Sequence, residues 1–324
     1  MTASFGPAGA RPHPAHWIGG QKPRFSGMIA SIDIRERDCL SAPYALPFPR
    51  DPAYGNRVVR RRFRLINHAG RVEAHLSDEF HEMHCTLWHA GGIITDIDAR
   101  AFRIPTTACP GAAVVLRELI GLPLAMPREE LYEKARVRRN CTHMFDLAAL
   151  AIAQAARPHE AGRVYDAAVP DETDAPVTVI VECDGQVIHR WLVRDHHIVE
   201  PEALAGRPLL RGFTRWAAET FEGDALEAAI VLERTCLIAQ GGPYLSEAFT
   251  GRTLRLNAVM AGVCHGYAEA TLDSSWFIAG ARRDFTAGVV EQPVNFFTED
   301  HVEAWTEGVT CRSDTGSQAL SGDR

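Results

Sequence analysis

A hairpin followed by helices occurs twice along this chain, and that recurrence limits the folds open to it. Residues 83–88 and 93–102 read as strands joined by Gly91-Gly92, a dipeptide that supplies the positive φ angles of a two-residue hairpin turn. Helical spacing follows at 111–120, 128–135 and 141–156. The order then returns: strands at 177–183 and 187–193 around Asp184-Gly185, a strand remnant at Ile198-Val199, and helices at 209–221 and 226–239. Upstream, the later part of 58–66 alternates as a half-buried strand does. The expected class is α+β, with two related units, each a small antiparallel sheet carrying helices on one face, and a pocket where they meet. The expected division is an extended, Pro- and Gly-rich arm over 1–55, a first unit over 56–156, a polar connection over 157–176, a duplicate-like second unit over 177–300, and a disordered tail over 311–324.

Composition narrows the function classes. An apolar fraction of 46% with 23% charged residues fits a globular chain, and a net charge of −7 argues against nucleic acid or an anionic membrane as partner. No apolar run reaches the roughly 18 residues of a membrane span. The start, Met1-Thr2-Ala3-Ser4-Phe5-Gly6-Pro7, lacks the basic and apolar regions of a signal peptide. A cytoplasmic protein acting on a small molecule is expected, with homo-oligomer formation left open. The eight cysteines are scattered without a C-x-x-C pair, so most are expected to be buried small hydrophobes. Lysine occurs only at Lys22 and Lys134, which makes Schiff-base chemistry a poor fit, whereas the abundant arginine suits forked recognition of carboxylates or phenolates. Phosphate-loop, dinucleotide-fold, serine-hydrolase and zinc-peptidase motifs are all missing.

The chemistry-bearing residues cluster in the first half. Asn140-Cys141-Thr142-His143-Met144 opens an apolar helical run, where unpaired N–H groups and the helix dipole favour a thiolate at Cys141. Cys109 opens another such run. The segment Asp78-Glu79-Phe80-His81-Glu82-Met83-His84 concentrates carboxylates and imidazoles before a strand, with Glu82 and His84 on one strand face. Asp96 and Asp98 share a strand face with Arg100, either as an acid–base pair or as a polar surface with an ion pair. The run Arg60-Arg61-Arg62-Phe63-Arg64 reads either as a receptor for an anionic substrate or as a charged edge strand. The catalytic candidates are therefore His81, His84, Asp96, Cys141 and His143. The substrate-binding candidates are Arg61, Arg103, Trp88, Cys264 and His265. Should a metal bind, Asp78, Cys109, Cys141 and His143 offer zinc-type ligands. A packed thiol pair at two helix ends is the competing reading of Cys109 and Cys141.

Three of these segments carry a resemblance. Asn140-Cys141-Thr142-His143-Met144 is similar to a G-C-T-H-L pattern, Thr106 to Ala112 with Leu119-Ile120-Gly121 to a P-x-x-C-x-x-A stretch closing on L-x-G, and Cys264-His265 to a later C-H element. Together they resemble the bacterial family catalogued as domain of unknown function 2889. Asn140 stands where that family usually has glycine. The order of hairpin, cysteine-led helix and second cysteine-led helix also looks like the SufE/NifU-like iron–sulfur scaffold architecture, with Asp78, Cys109 and Cys141 in comparable places. The first resemblance implies a role in bacterial aromatic catabolism: a cofactor-independent lyase acting on a phenolic, lignin-derived aromatic by acid–base chemistry through a quinone methide, releasing formaldehyde or carbon dioxide. The second implies a zinc- or iron–sulfur-binding scaffold or sulfur-transfer protein. A non-catalytic binding protein is the third expectation.

Overall fold

A computed structural model describes residues 48–157, 162–210 and 212–288. The chain divides into residues 1–45 and 46–324, and all described residues belong to the second unit. Most of the expected N-terminal arm and all of the expected tail lie outside the described residues. The end of that arm is packed: Phe48 is buried with Tyr244, Leu254 and Phe277, and Asp51 forms ion pairs with Arg57 and Arg282.

Eight strands form one antiparallel sheet. The first meander is β1 (Val58–His68), β2 (Arg71–Asp78), β3 (Glu82–Ala90) and β4 (Ile93–Arg103). Short helices α1 (Ala112–Leu116), α2 (Arg128–Leu131) and α3 (Lys134–Arg139) lead to the longer α4 (Thr142–Ala155). The second meander is β5 (Gly162–Pro170), β6 (Val177–Cys183), β7 (Gln186–Arg194) and β8 (His197–Glu200). Helices α5 (Phe213–Thr220) and α6 (Gly223–Ala239) follow it. Four strands and then helices thus occur twice. Strand order is β4-β3-β2-β1-β5-β6-β7-β8.

The α+β class is as expected, but the two expected sheets are continuous, joined edge to edge by β1 and β5. Helix α4 packs on β1, β2 and β3, and α6 on β1, β5, β6 and β7, so one face of the sheet is covered. Alternation selects what is buried there: Val59, Phe63 and Leu65 from β1, Val72, Ala74 and Leu76 from β2, Tyr165, Ala167 and Val169 from β5. Among the described residues, no helix is long and apolar enough to cross a membrane.

Two strands escape the sequence reading. In β2, Ala74 and Asp78 stand at buried positions, which dilutes the apolar period. In β5, inside the expected connection, Arg163 takes a buried position and Pro170 ends the strand. The second meander therefore begins at β5, inside the stretch read as a connection. The edge-strand reading of Arg60–Arg64 also fails, because β1 lies mid-sheet between β2 and β5. Arg62 instead forms a two-point ion pair with Asp166 of β5, with bonds of 2.6 and 3.0 Å.

The seam is tight where β5 begins. A Cβ on Gly162 would lie 2.6 Å from the Leu65 carbonyl oxygen, and backbone cannot rotate away as a side chain can. Gly162→Ala is expected to lower stability by about 1–3 kcal/mol, as overpacking does. Urea denaturation checks this; an unchanged midpoint would mean the two strands slide apart freely.

Candidate functional site

The site grows from one buried arginine. On β1, Arg61 points to the helix-covered face between Val59 and Phe63, and it is fully buried. The β1–β2 register sets it opposite Asp78, the last residue of β2. The Asp78 carboxylate folds the next turn around itself: Oδ1 accepts the N–H groups of Phe80 (2.9 Å) and His81 (2.8 Å) and the His81 ring Nδ1–H (2.9 Å). Arg61 Nε lies 3.6 Å from Asp78 Oδ2. From the first turn of α4, His143 brings its Nδ1 to 3.3 Å from Arg61 Nη2, and its ring centroid sits 3.9 Å from that of His81.

Elementary donor rules assign the protons. An arginine can only donate, so His143 Nδ1 accepts and the neutral ring carries its proton on Nε2. Burial, reinforced by nearby His81 and Arg61, holds the His143 pKa well below its usual value, keeping this ring uncharged. Burial works against the charge on Asp78, yet His81 and then Arg61 hold its carboxyl well below the usual carboxylate range. Ionised Asp78 accepts from His81 Nδ1–H, which fixes the ring and leaves Nε2 as the nitrogen not committed to Asp78. Two donors of Arg61, Nε and Nη1, are buried without a hydrogen-bond partner. Unspent donors in a dry site are costly unless an anion or a developing negative charge uses them.

The ligand atoms of Asp78, His81 and His143 all fall within 4.8 Å of one another, so two imidazoles and a carboxylate could also hold a divalent ion. The Arg61 contact tells against that use, since it places a fixed cation on His143 and leaves its other nitrogen protonated.

Behind the cluster lies a second polar layer. Tyr132 donates to Asp146 Oδ1 (3.2 Å), Arg234 Nε is 3.4 Å from Asp146 Oδ2, and Arg234 Nη1 is 3.3 Å from Glu233 Oε2. Between Phe63, Tyr132, Asp146, Leu150, Val231 and Arg234 is a cavity of about 10 Å³, room for one water. It sits where the α4 and α6 sides of the core meet. Burial pushes the Glu233 carboxyl up to about 7, and its Oε2 makes no hydrogen bond that would restore the charge. The fold therefore binds a proton at Glu233 that the unfolded chain releases near 4.5. Stability contributed by this group falls as pH rises from 4.5 towards 7. Glu233→Gln should flatten that fall when urea midpoints are compared at about pH 5 and about pH 8; parallel wild-type and variant profiles would show that the carboxyl ionises normally.

The other sequence candidates are placed elsewhere. Arg103 is buried but spent: it donates to the carbonyls of Asp78 (2.7 Å), His81 (3.0 Å), Glu79 (2.9 Å) and Ala281 (2.8 Å). It clamps the Asp78–His81 turn. His84 alternates with Met83 and Cys85 to the sheet face away from α4, where Trp88 also lies half-buried. Asp96 pairs with Arg117 at 3.0 Å and Asp98 with Arg100 at 3.3 Å, the polar-surface alternative.

Cys141 caps α4, yet burial pushes its thiol far up, assisted by Cys109 and Cys264, against the pull of the Met144 and His143 N–H groups. The expected thiolate is thus corrected to a thiol. Cys109 is likewise raised by burial, to about 11. His265 N–H donates to the Asn140 carbonyl (3.0 Å), and a Cβ on Gly266 would sit 3.9 Å from Cys109 Sγ. Cys109 and Cys264 lie near enough to Cys141 to act on its thiol, and Cys141 in turn lies near enough to act on Arg61, whereas the ligand atoms that fall together with those of Asp78 and His143 are those of His81. The sequence reading misses Tyr132, Asp146, Glu233 and Arg234; the available signal was charge inside the apolar runs of α4 and α6.

Most of the residues that make this geometry come from one stretch of chain. Residues 62–157 match the family model described as protein of unknown function (DUF2889). The match covers under a third of the chain. It runs from β1 past the end of α4 and includes Asp78, His81, Cys109, Cys141 and His143. Arg61 stands one residue before the matched stretch, and the whole second meander with Glu233 and Arg234 lies after it. No curated protein and no solved structure matches the chain.

Proposed function

We propose that this chain is a carbon–carbon lyase acting on a phenolic, lignin-derived aromatic by acid–base chemistry. The observation that carries the reading is His81, fixed by Asp78 as a base, beside the unspent donors of Arg61. In the first step His81 Nε2 takes the phenolic proton, and the phenolate oxygen faces Arg61. Electrons from that oxygen move through the ring and expel a leaving group from the para side chain, whose departing oxygen takes the proton that His81 has just accepted. The product is a quinone methide. A hydroxymethyl carbon next to it then loses its O–H proton to base, its bond to the side chain breaks, and formaldehyde leaves. The released electron pair returns to the ring and restores the phenolate; a carboxyl substituent would leave as carbon dioxide in the same way. These steps balance without an organic cofactor. Arg61 and Asp78 are fully buried and His81 nearly so, so substrate entry demands an opening motion. A cytoplasmic location suits the six free cysteines among the described residues.

The test is formaldehyde and carbon dioxide release from a panel of phenolic dimers, against the same dimers methylated at the phenol. Turnover confined to the free phenols supports the reading. Equal turnover of both series, or of neither, removes it. The neighbourhood of Cys109, Cys141 and Cys264 favours a second reading, a thiolate metal or sulfur-transfer centre. Stoichiometric metal in freshly purified protein, lost on Cys141→Ser, would support that one.

A further inference from the structure

The sheet face away from α4 carries a second cluster that the acid–base reading does not use. On β2, Glu73 and His75 are two residues apart and so share a face. On β3, His84 stands directly opposite His75 in the register. The ring centroids of His75 and His84 are 4.7 Å apart, edge to face. One ligand atom from each of Glu73, His75 and His84 falls within 4.8 Å of the others, and all three residues are half-buried.

The fold fixes this arrangement from beneath. The neighbouring register pairs, Ala74–Cys85 and Leu76–Met83, are buried in the core on the opposite face. A one-residue slip of β2 against β3 would turn those apolar side chains outward, so the two imidazoles cannot drift apart along the strands. A tetrahedral ion with bonds of about 2.0–2.2 Å holds its nitrogen and oxygen ligands roughly 3.3–3.6 Å apart.

We propose that Glu73, His75 and His84 form a binding site for a first-row transition ion, zinc above all, with a fourth position open to water. Two imidazoles and one carboxylate are a donor set that suits zinc. The charges facing His84 are Glu73, Asp98 and Arg100. Glu73 Oε1 also meets Arg71 Nη2 at 3.0 Å and His68 Nε2 at 3.5 Å. The Arg71 side chain is 42% exposed, and a bound cation would take its place on Glu73. The site is independent of the lyase reading, since it shares no residue with Asp78, His81, His143 or Arg61.

Zinc chloride is titrated calorimetrically into the metal-stripped full chain at neutral pH in a non-chelating buffer, and cobalt binding is followed by its visible spectrum. The expected result is one zinc bound at the open face with Kd below about 10 μM, weakened at least about tenfold by His75→Ala and by His84→Ala. His143→Ala, at the buried cluster, should leave that binding event in place. Glu73→Gln, a near-isosteric change on a half-buried side chain, should weaken it too and alter the cobalt spectrum, which carries the test if a histidine variant does not fold. Binding unaffected by the Glu73, His75 and His84 substitutions, binding abolished only by His143→Ala, or no heat at up to about 1 mM zinc would each overturn the proposal.

Discussion

His81→Asn is expected to lower formaldehyde release by about 10²–10⁴-fold, the usual worth of a positioned general base. Asparagine can still donate to Asp78 Oδ1, so the turn that Asp78 organises should survive. What disappears is the basic Nε2. The loss should fall on kcat more than on KM, because Arg61, the proposed phenolate receptor, is untouched. Asp96→Asn is the matched control: that carboxylate is half-exposed and paired with Arg117 on a different part of the sheet, and little change is expected. A His81→Asn enzyme that turns over at the wild-type rate would move the base to another residue.

Asp78→Asn is expected to destabilise the fold by about 3–5 kcal/mol, since it leaves the fully buried Arg61 cation without its counter-charge. Replacing both partners, Asp78→Asn with Arg61→Met, should recover much of that loss, because the uncompensated charge is then gone. Urea denaturation of the four proteins in the cycle measures the coupling. The effect of pH has a definite sign. The folded pKa of Asp78 lies below its ordinary 3.8, so the stability it contributes is fully present above that value and is lost as pH falls through the folded one. The gap between wild type and Asp78→Asn should therefore narrow in acid. A gap that is small at neutral pH, or independent of pH, would mean that Arg61 finds another partner.

Much of the fold is legible in the sequence because its signals are local. The turns at Gly91-Gly92 and Asp184-Gly185, the apolar run of α4 and the alternation of β1 each belong to one segment. The continuity of the sheet is not legible, because β5 offers an arginine, an aspartate and a proline where a strand would announce itself with β-branched residues. The candidate site is legible only in part. The Asp78–His81 turn and His143 stand out as chemistry-bearing residues beside element boundaries. Their partner Arg61 looks like three neighbouring arginines until strand alternation turns it inward. Composition alone cannot tell Arg61, a buried cation with unspent donors, from Arg103, whose Nη1 and Nη2 go to backbone carbonyls and whose Nε faces Glu82.

The pairing of β1 with β5 has a consequence for biosynthesis. About 96 residues separate the partners Ile66 and Gly162, so at about 5–20 residues per second a ribosome needs on the order of 5–20 s to deliver the second after the first. During that interval the nascent first meander exposes a row of unpaired amides and carbonyls along β1, an invitation to another growing chain. The like charges of Arg60, Arg62 and Arg64 border that row and repel a second copy of themselves. Arg62 then finds Asp166 when β5 arrives, so a residue that guards the half-made chain becomes a tie in the finished one.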